Sequence, residues 1–131
     1  MKERSWDYTG GEFPVPKKLF SMGLSAGEIA IYCYLLSCMD WKTRTCYPSF
    51  HTISAAVDYQ KNTVAKYVHL LEEKGYISTM RTEVHTQKHG VRNGNLNYLV
   101  HTVEEVIAAQ VRRQAQENEQ RYLQQELDLG P

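Results

Sequence analysis

The 131-residue sequence predicts a mainly α fold with a small β appendage, and three observations carry that expectation. Between Pro48 and Gly75 a short and then a longer run of apolar residues recur at helical spacing, separated by a brief polar break. Directly after Gly75 the spacing switches to two, and it does so again from Leu96 to Val100. Beyond Val100 the chain is rich in Ala, Glu, Gln, Arg and Leu, with no Gly or Pro until its last two residues, which by propensity is a long helix.

The first of the central helices is expected from Pro48 to about Val57. Pro48 suits a first helical turn, where its missing N–H costs nothing, and Ile53 and Ala56 fall three apart on one face. Asp58 tolerates left-handed backbone and marks the turn. From about Lys61 the helical period returns, with Val64, Val68 and Leu71 on the core side. A wheel at about 100° per residue puts Asn62, Lys66, His69 and Glu73 opposite that stripe, with Thr63 and Leu70 beside them. Gly75 then closes the helix as a left-handed cap. Short helix, turn and longer helix are the layout of a helix-turn-helix DNA reader. In that layout the outward residues near the start of the second helix meet base edges: Asn pairs bidentately with adenine, and Lys reaches guanine or phosphate. Taken alone, a polar outer face is no more than an ordinary solvated one, so what surrounds it decides.

Tyr76-Ile77-Ser78-Thr79-Met80-Arg81 alternates as a strand, and Leu96-Asn97-Tyr98-Leu99-Val100 alternates again. Between them, Val84 to Asn95 carries Gly90, Asn93, Gly94 and Asn95 as turn residues, together with His85, Lys88, His89 and Arg92. The expectation is a hairpin with a basic loop. Thr45-Cys46-Tyr47 can add a short first strand, giving a three-stranded sheet.

The runs LSAGEIAIYCYLL, YPSFHTI and NTVAKYVHLLEEKGYI resemble the winged helix-turn-helix family found in replication initiators and regulators of Gram-positive plasmids and conjugative elements. The resemblance covers roughly Phe13 to Val100, and its most specific piece is TV-x5-LL-x3-GYI, Thr63 to Ile77. Two positions depart from the pattern. Asp58 replaces a turn glycine, and Gln60, a poor cap, replaces the serine that commonly caps the recognition helix. The resemblance implies a winged helix-turn-helix, mainly α with a small β-wing, with a hairpin laid against the DNA backbone or the minor groove; the expected architecture is that domain followed by the long C-terminal helix read from propensity.

Composition bounds what else the chain can be. At 131 residues and 42% apolar it forms one domain with an appendage: an N-terminal arm over 1–16, a core domain over 17–101 and a C-terminal helix over 102–131. Fifteen basic and fifteen acidic residues leave no net charge, which argues against nucleic acid until the distribution is considered. From Asp40 to Val100 eight basic residues face five acidic ones, whereas from His101 onward three arginines face six acids. A basic core and an acidic tail cancel in the total.

The three cysteines have no zinc-finger spacing and are expected reduced, and His85 and His89 lack a third ligand, so no metal site is expected. The start MKERSWDYTGGEF has no apolar signal region and no stretch approaches a membrane span, so a cytoplasmic protein without membrane contact is expected. Neither G-x-S-x-G, GxGxxG nor GxxxxGK[ST] occurs, and no acidic pair sits in a context for acid–base work. No catalytic residue, cofactor or small-molecule ligand is therefore expected, and none of the nine tyrosines is accompanied by a metal-binding histidine cluster.

Before the central helices, Trp6, Tyr8 and Phe13 are packing anchors of the arm, Lys17 to Met22 forms one helical turn ended by Gly23, and Ser25-x-x-Glu28 has capping-box spacing. Ile29, Tyr32, Cys33, Leu36 and Met39 give the next helix a stripe that buries against the recognition helix. In the C-terminal helix, Val103, Val106, Ile107 and Val111 form an apolar start and are expected to dimerise the protein, while Arg112 to Arg121 is nearly all polar.

The leading functional expectation is sequence-specific binding of double-stranded DNA, as a replication initiator-like protein or a transcription regulator of a mobile element. Asn62 and Lys66 are expected at base edges, with Gln60 and Thr63 beside them, and Ser49, Lys61, Arg81, Lys88 and Arg92 at phosphates. The competing expectation is a winged helix used for protein contacts in replisome loading, since the same fold hosts both roles.

Overall fold

A computed structural model describes residues 11–86 and 90–130, with side chains given outside 82–95. Trp6, Tyr8, Lys88 and His89 therefore lie outside the described residues. A short 3-10 helix, Lys17–Ser21, leads through Gly23, at φ +82°, into helix α1, Ala26–Cys38. Strand β1, Thr45–Cys46, helices α2, Phe50–Val57, and α3, Lys61–Glu73, strands β2, Ile77–Thr86, and β3, Gly90–Val100, and helix α4, Val103–Asp128, complete the order.

Helix α1 starts at the expected capping box. The Ser25 hydroxyl accepts from the Glu28 N–H at 3.3 Å, and a Glu28 carboxylate oxygen accepts from the Ser25 N–H at 3.1 Å. Its buried face is Ile31, Tyr32, Leu35, Leu36 and Met39, whereas Ile29 and Cys33 are only half-buried. The true stripe is thus rotated from the expected one, because α1 is covered on two sides and its sequence offers apolar residues on both.

Helix α2 begins two residues later than Pro48. Ser49 is its N-cap, with the hydroxyl accepting from the Thr52 N–H at 3.1 Å, so Pro48 precedes the cap instead of opening the first turn. Ile53 is fully buried, but Ala56 is exposed. Asp58 adopts the left-handed conformation that the turn requires, at φ 62° and ψ 38°.

The exit of α3 is a complete Schellman arrangement. The Tyr76 N–H reaches the Leu71 carbonyl at 2.9 Å and the Gly75 N–H reaches the Glu72 carbonyl at 3.1 Å, with Gly75 at φ +86°. Leu71 and Tyr76 are both buried there. Glycine at this point turns the chain straight from α3 into the sheet.

The sheet is antiparallel with order β1-β3-β2, and β1 joins through Thr45↔Leu99 and Cys46↔Tyr98. Strands β2 and β3 pair from Ile77↔Val100 to Thr86↔Gly90, with a register shift between Arg81↔Leu96 and Glu83↔Asn93. Over that shift β2 advances two residues and β3 three, so the extra residue lies at Gly94-Asn95 in β3. This corrects the expected loop: Gly90, Asn93, Gly94 and Asn95 belong to a strand, and the Gly-Asn pair serves a bulge, which needs the same permissive backbone as a turn. The pairing thus extends the hairpin well beyond the two alternating segments.

The core gathers Leu19, Ile31, Leu35, Ile53, Val64, Leu71, Ile77, Tyr98 and Val100, all at 1% exposure or less, and β1 adds Cys46 at 4%. Helix α4 adds Val103 and Val106, each 2% exposed, with Ile107 packed at the edge. Thr102 caps it through the Glu105 N–H at 3.1 Å. After Gln110 every residue of α4 is exposed. Helices α2 and α3 with their hairpin form a winged helix-turn-helix domain, and α4 leaves it as a long C-terminal helix.

Candidate nucleic-acid interface

Helix α3 presents its polar face as the period requires. Lys61, Asn62, Lys66, His69 and Glu73 are exposed, Thr63 is half-buried, and Val64, Val68 and Leu71 are in the core. Charge is divided along the helix. The amino-terminal half carries Lys61, Asn62 and Lys66 and has no acid in its first turn, while Glu72 and Glu73 lie in the last turn. Gln60 is the N-cap residue, and its side chain makes no capping bond. The first-turn N–H groups thus add their positive end to that of the two lysines.

Both carboxylates of the last turn are occupied. Glu73 meets the His69 ring at 3.0 Å, and Glu72 Oε2 accepts the Thr79 N–H at 2.7 Å and the Thr79 hydroxyl at 2.8 Å. The Thr79 contact fixes the wing to α3. Alternation along β2 then places Ile77, Thr79 and Arg81 on the α3 side of the sheet and Ser78 and Met80 on the other. Arg81 is exposed, so the wing offers a guanidinium on the same side as the helix.

Tyr67 holds α3 against α1. Its ring packs over Gly27 so closely that a Cβ there would sit 2.4 Å from Tyr67 Cε2. The ring also meets Tyr59 edge-on with centroids 5.5 Å apart, and Lys66 Nζ lies 6.0 Å from the Tyr67 centroid. The turn, the helix and the ammonium are thereby stacked in one unit.

Not every basic residue of the core region is available to a ligand. Lys74 Nζ is 2.7 Å from Glu28 Oε2, a carboxylate with only 4% of its side chain exposed, and Arg44 pairs with Glu105 of α4. Burial opposes ionisation of Glu28, but hydrogen bonds from Lys74 and Ser25 outweigh it and hold the carboxyl below its usual range. These pairs join residues 46 and 61 apart in the chain, so no local sequence signal could have revealed them. The Glu72–Thr79 bond was missed for a different reason: a glutamate in a last helical turn looks like solvated surface.

Ser49 is placed at the positive end of α2 as its cap, half-buried. Arg92 lies in β3 opposite Val84, within the paired hairpin and not in a loop. Lys88 falls outside the described residues. Of the residues expected to dimerise, Val103 and Val106 are inside the core of their own chain and Ile107 packs against it. An apolar first turn has docked on the winged domain, so these three are corrected from dimer contacts to intramolecular ones. Val111, 63% exposed, is not part of that core.

Among the described residues no group of three His, Cys, Asp or Glu side chains could hold a metal ion. No helix among them is long and apolar enough to cross a membrane.

None of the curated proteins matches the chain. Among solved structures, the "Possible transcriptional regulator from Methanosarcina mazei Go1" is similar at 16% identity and a TM-score of 0.45, covering 77% of this chain and 82% of that one. Residues 22–77, which run from the lead into α1 through α2 and α3 to the first residue of β2, match the family model of a helix-turn-helix domain.

Proposed function

We propose that the chain binds double-stranded DNA sequence-specifically, as a transcription regulator or a replication initiator-like protein of a mobile element. The helix-turn-helix match supports DNA as the ligand class. The observation that carries the reading is the amino-terminal half of α3, where Lys61, Asn62 and Lys66 are exposed together with no acidic residue in the first turn. Entering the major groove by that end brings Asn62 and Lys66 to base edges and leaves Lys61 for phosphate. Gln60 and Thr63 flank the same turn. Ser49 at the start of α2 and Arg81 on the wing contact backbone phosphates on either side, and Lys88 and Arg92 extend the wing contact.

A two-fold dimer belongs to the same proposal, because paired recognition helices are the usual way such a reader gains affinity, and its target is then an inverted repeat. Selection of bound sequences from a random duplex pool, followed by mobility-shift titration against salt, tests the reading. With roughly four to six phosphates neutralised per subunit the log–log slope is about −4 to −5. Failure to bind any duplex pool at low salt would replace it with the protein-contact role of the fold.

A further inference from the structure

From Gln110 to Asp128 every residue of helix α4 is exposed, and none of them belongs to the core. That is about 28 Å of helix at 1.5 Å per residue. Two internal side-chain bonds support it, Gln114 to Asn118 at 3.1 Å and Gln124 to Asp128 at 3.2 Å. Most helical stability in proteins comes from packing rather than from propensity, and this stretch packs against no core, so a partner is the physical expectation.

Residues 111, 115, 118, 122, 125 and 129 are spaced alternately four and three, which aligns them on one side of the helix. The two ends of this line are its most apolar points, Val111 at 63% and Leu129 at 82% exposure, with Tyr122 at 61% between them. Charge is polarised along the same stretch: Arg112 and Arg113 stand at its start, Glu126 and Asp128 at its end. Arg112 has no acid three or four positions away in its own helix, and Glu126 has no base there, so neither is satisfied locally.

We infer that the distal half of α4 pairs antiparallel with the same segment of a second copy of this chain. Laid head to tail about a two-fold axis near residue 120, Val111 meets the partner's Leu129, and Asn118 meets the partner's Tyr122. The flanking positions then bring Arg112 opposite the partner's Glu126, twice per dimer. Opposed helix dipoles favour this direction as well. A parallel pair would set Arg112 and Arg113 beside themselves and Glu126 and Asp128 beside themselves. Glu119 and Arg121 both fall next to the axis and each faces its own copy, which keeps the pairing weak.

The inference names the surface for the proposed dimer, and its test needs no DNA, so its failure is distinct from failure of the DNA reading. Sedimentation equilibrium of the full chain should show a monomer–dimer equilibrium at tens of micromolar, with helix content checked by circular dichroism. Arg112→Glu and Glu126→Arg should each weaken dimerisation roughly ten-fold, since two like-charge contacts replace two attractive ones. The double reversal should restore the equilibrium to within about three-fold. Glu119→Gln should tighten it. A chain that stays monomeric at about 100 µM overturns the inference, and so does a double reversal that fails to restore pairing, which would indicate a parallel arrangement or a different partner.

Discussion

Glu72, in the last turn of α3, takes both the N–H and the hydroxyl of Thr79 on strand β2, at 2.7 and 2.8 Å. Strand β2 is an edge of the sheet, and one carboxylate there both accepts from a backbone N–H of that edge and ties the wing to the helix. Removing it with Glu72→Ala should cost about 1–2 kcal/mol, toward the low end for hydrogen bonds to a charged group because Glu72 is exposed. Chemical denaturation measures this. Binding to duplexes of any sequence should weaken as well, because Arg81 sits two residues beyond Thr79.

The seat of α3 on α1 is set by the smallest possible residue. A methyl at Gly27 would lie 2.4 Å from the Tyr67 ring, so Gly27→Ala should destabilise by about 1–3 kcal/mol, as overpacking generally does. The same substitution in a Tyr67→Ala background should cost much less. A double-mutant cycle by thermal unfolding checks the coupling.

The Glu28–Lys74 pair makes stability depend on acid. Glu28 has a lowered pKa in the folded chain, so the unfolded state binds a proton first as pH falls. Its contribution is present above the ordinary carboxylate range and is lost as pH drops through that range and then through the folded value. Glu28→Gln should therefore flatten the acid limb of the stability curve. Lys74→Met, which leaves a buried carboxylate without its ammonium, should cost about 2–3 kcal/mol at neutral pH. Melting temperature against pH for the three proteins checks both statements.

On the DNA side, Lys88→Ala and Arg92→Ala should weaken specific and random duplexes alike. Each should reduce the magnitude of the log–log salt slope by about one, the signature of a lost phosphate contact. Mobility-shift titrations at several salt concentrations provide the measurement.

How far the sequence discloses the molecule depends on whether the signal is local. The Ser25–Glu28 box, the Asp58 turn, the onset of α3 at Lys61 and the Gly75 exit all depend on a few neighbouring residues, and the structure has each where its spacing puts it. The start of α2 was misplaced because Pro48 and Ser49 are both start signals, and the serine, which can bond the Thr52 N–H, outranks a proline that only tolerates the position. Asn93-Gly94-Asn95 has the chemistry of a turn and of a bulge, and only the pairing partner decides between them. The apolar start of α4 was legible as a contact surface, but periodicity does not say whether the contact is with the same chain; burial of Val103 and Val106 does. For the candidate interface, the α3 face was legible from the helical period. Which basic residues are neutralised was not, because the partners of Arg44 and Lys74 are distant in sequence.

The claim at the centre of this account is that the amino-terminal half of α3 reads bases, and Asn62→Ala tests it most directly. Affinity of the variant should be measured on the selected target and on random duplex, side by side at one salt concentration. The account predicts a loss of about 1–3 kcal/mol on the target, relaxed preference at one or two base pairs, and unchanged binding to random duplex. Equal losses on both duplexes, or no loss on the target, would contradict it.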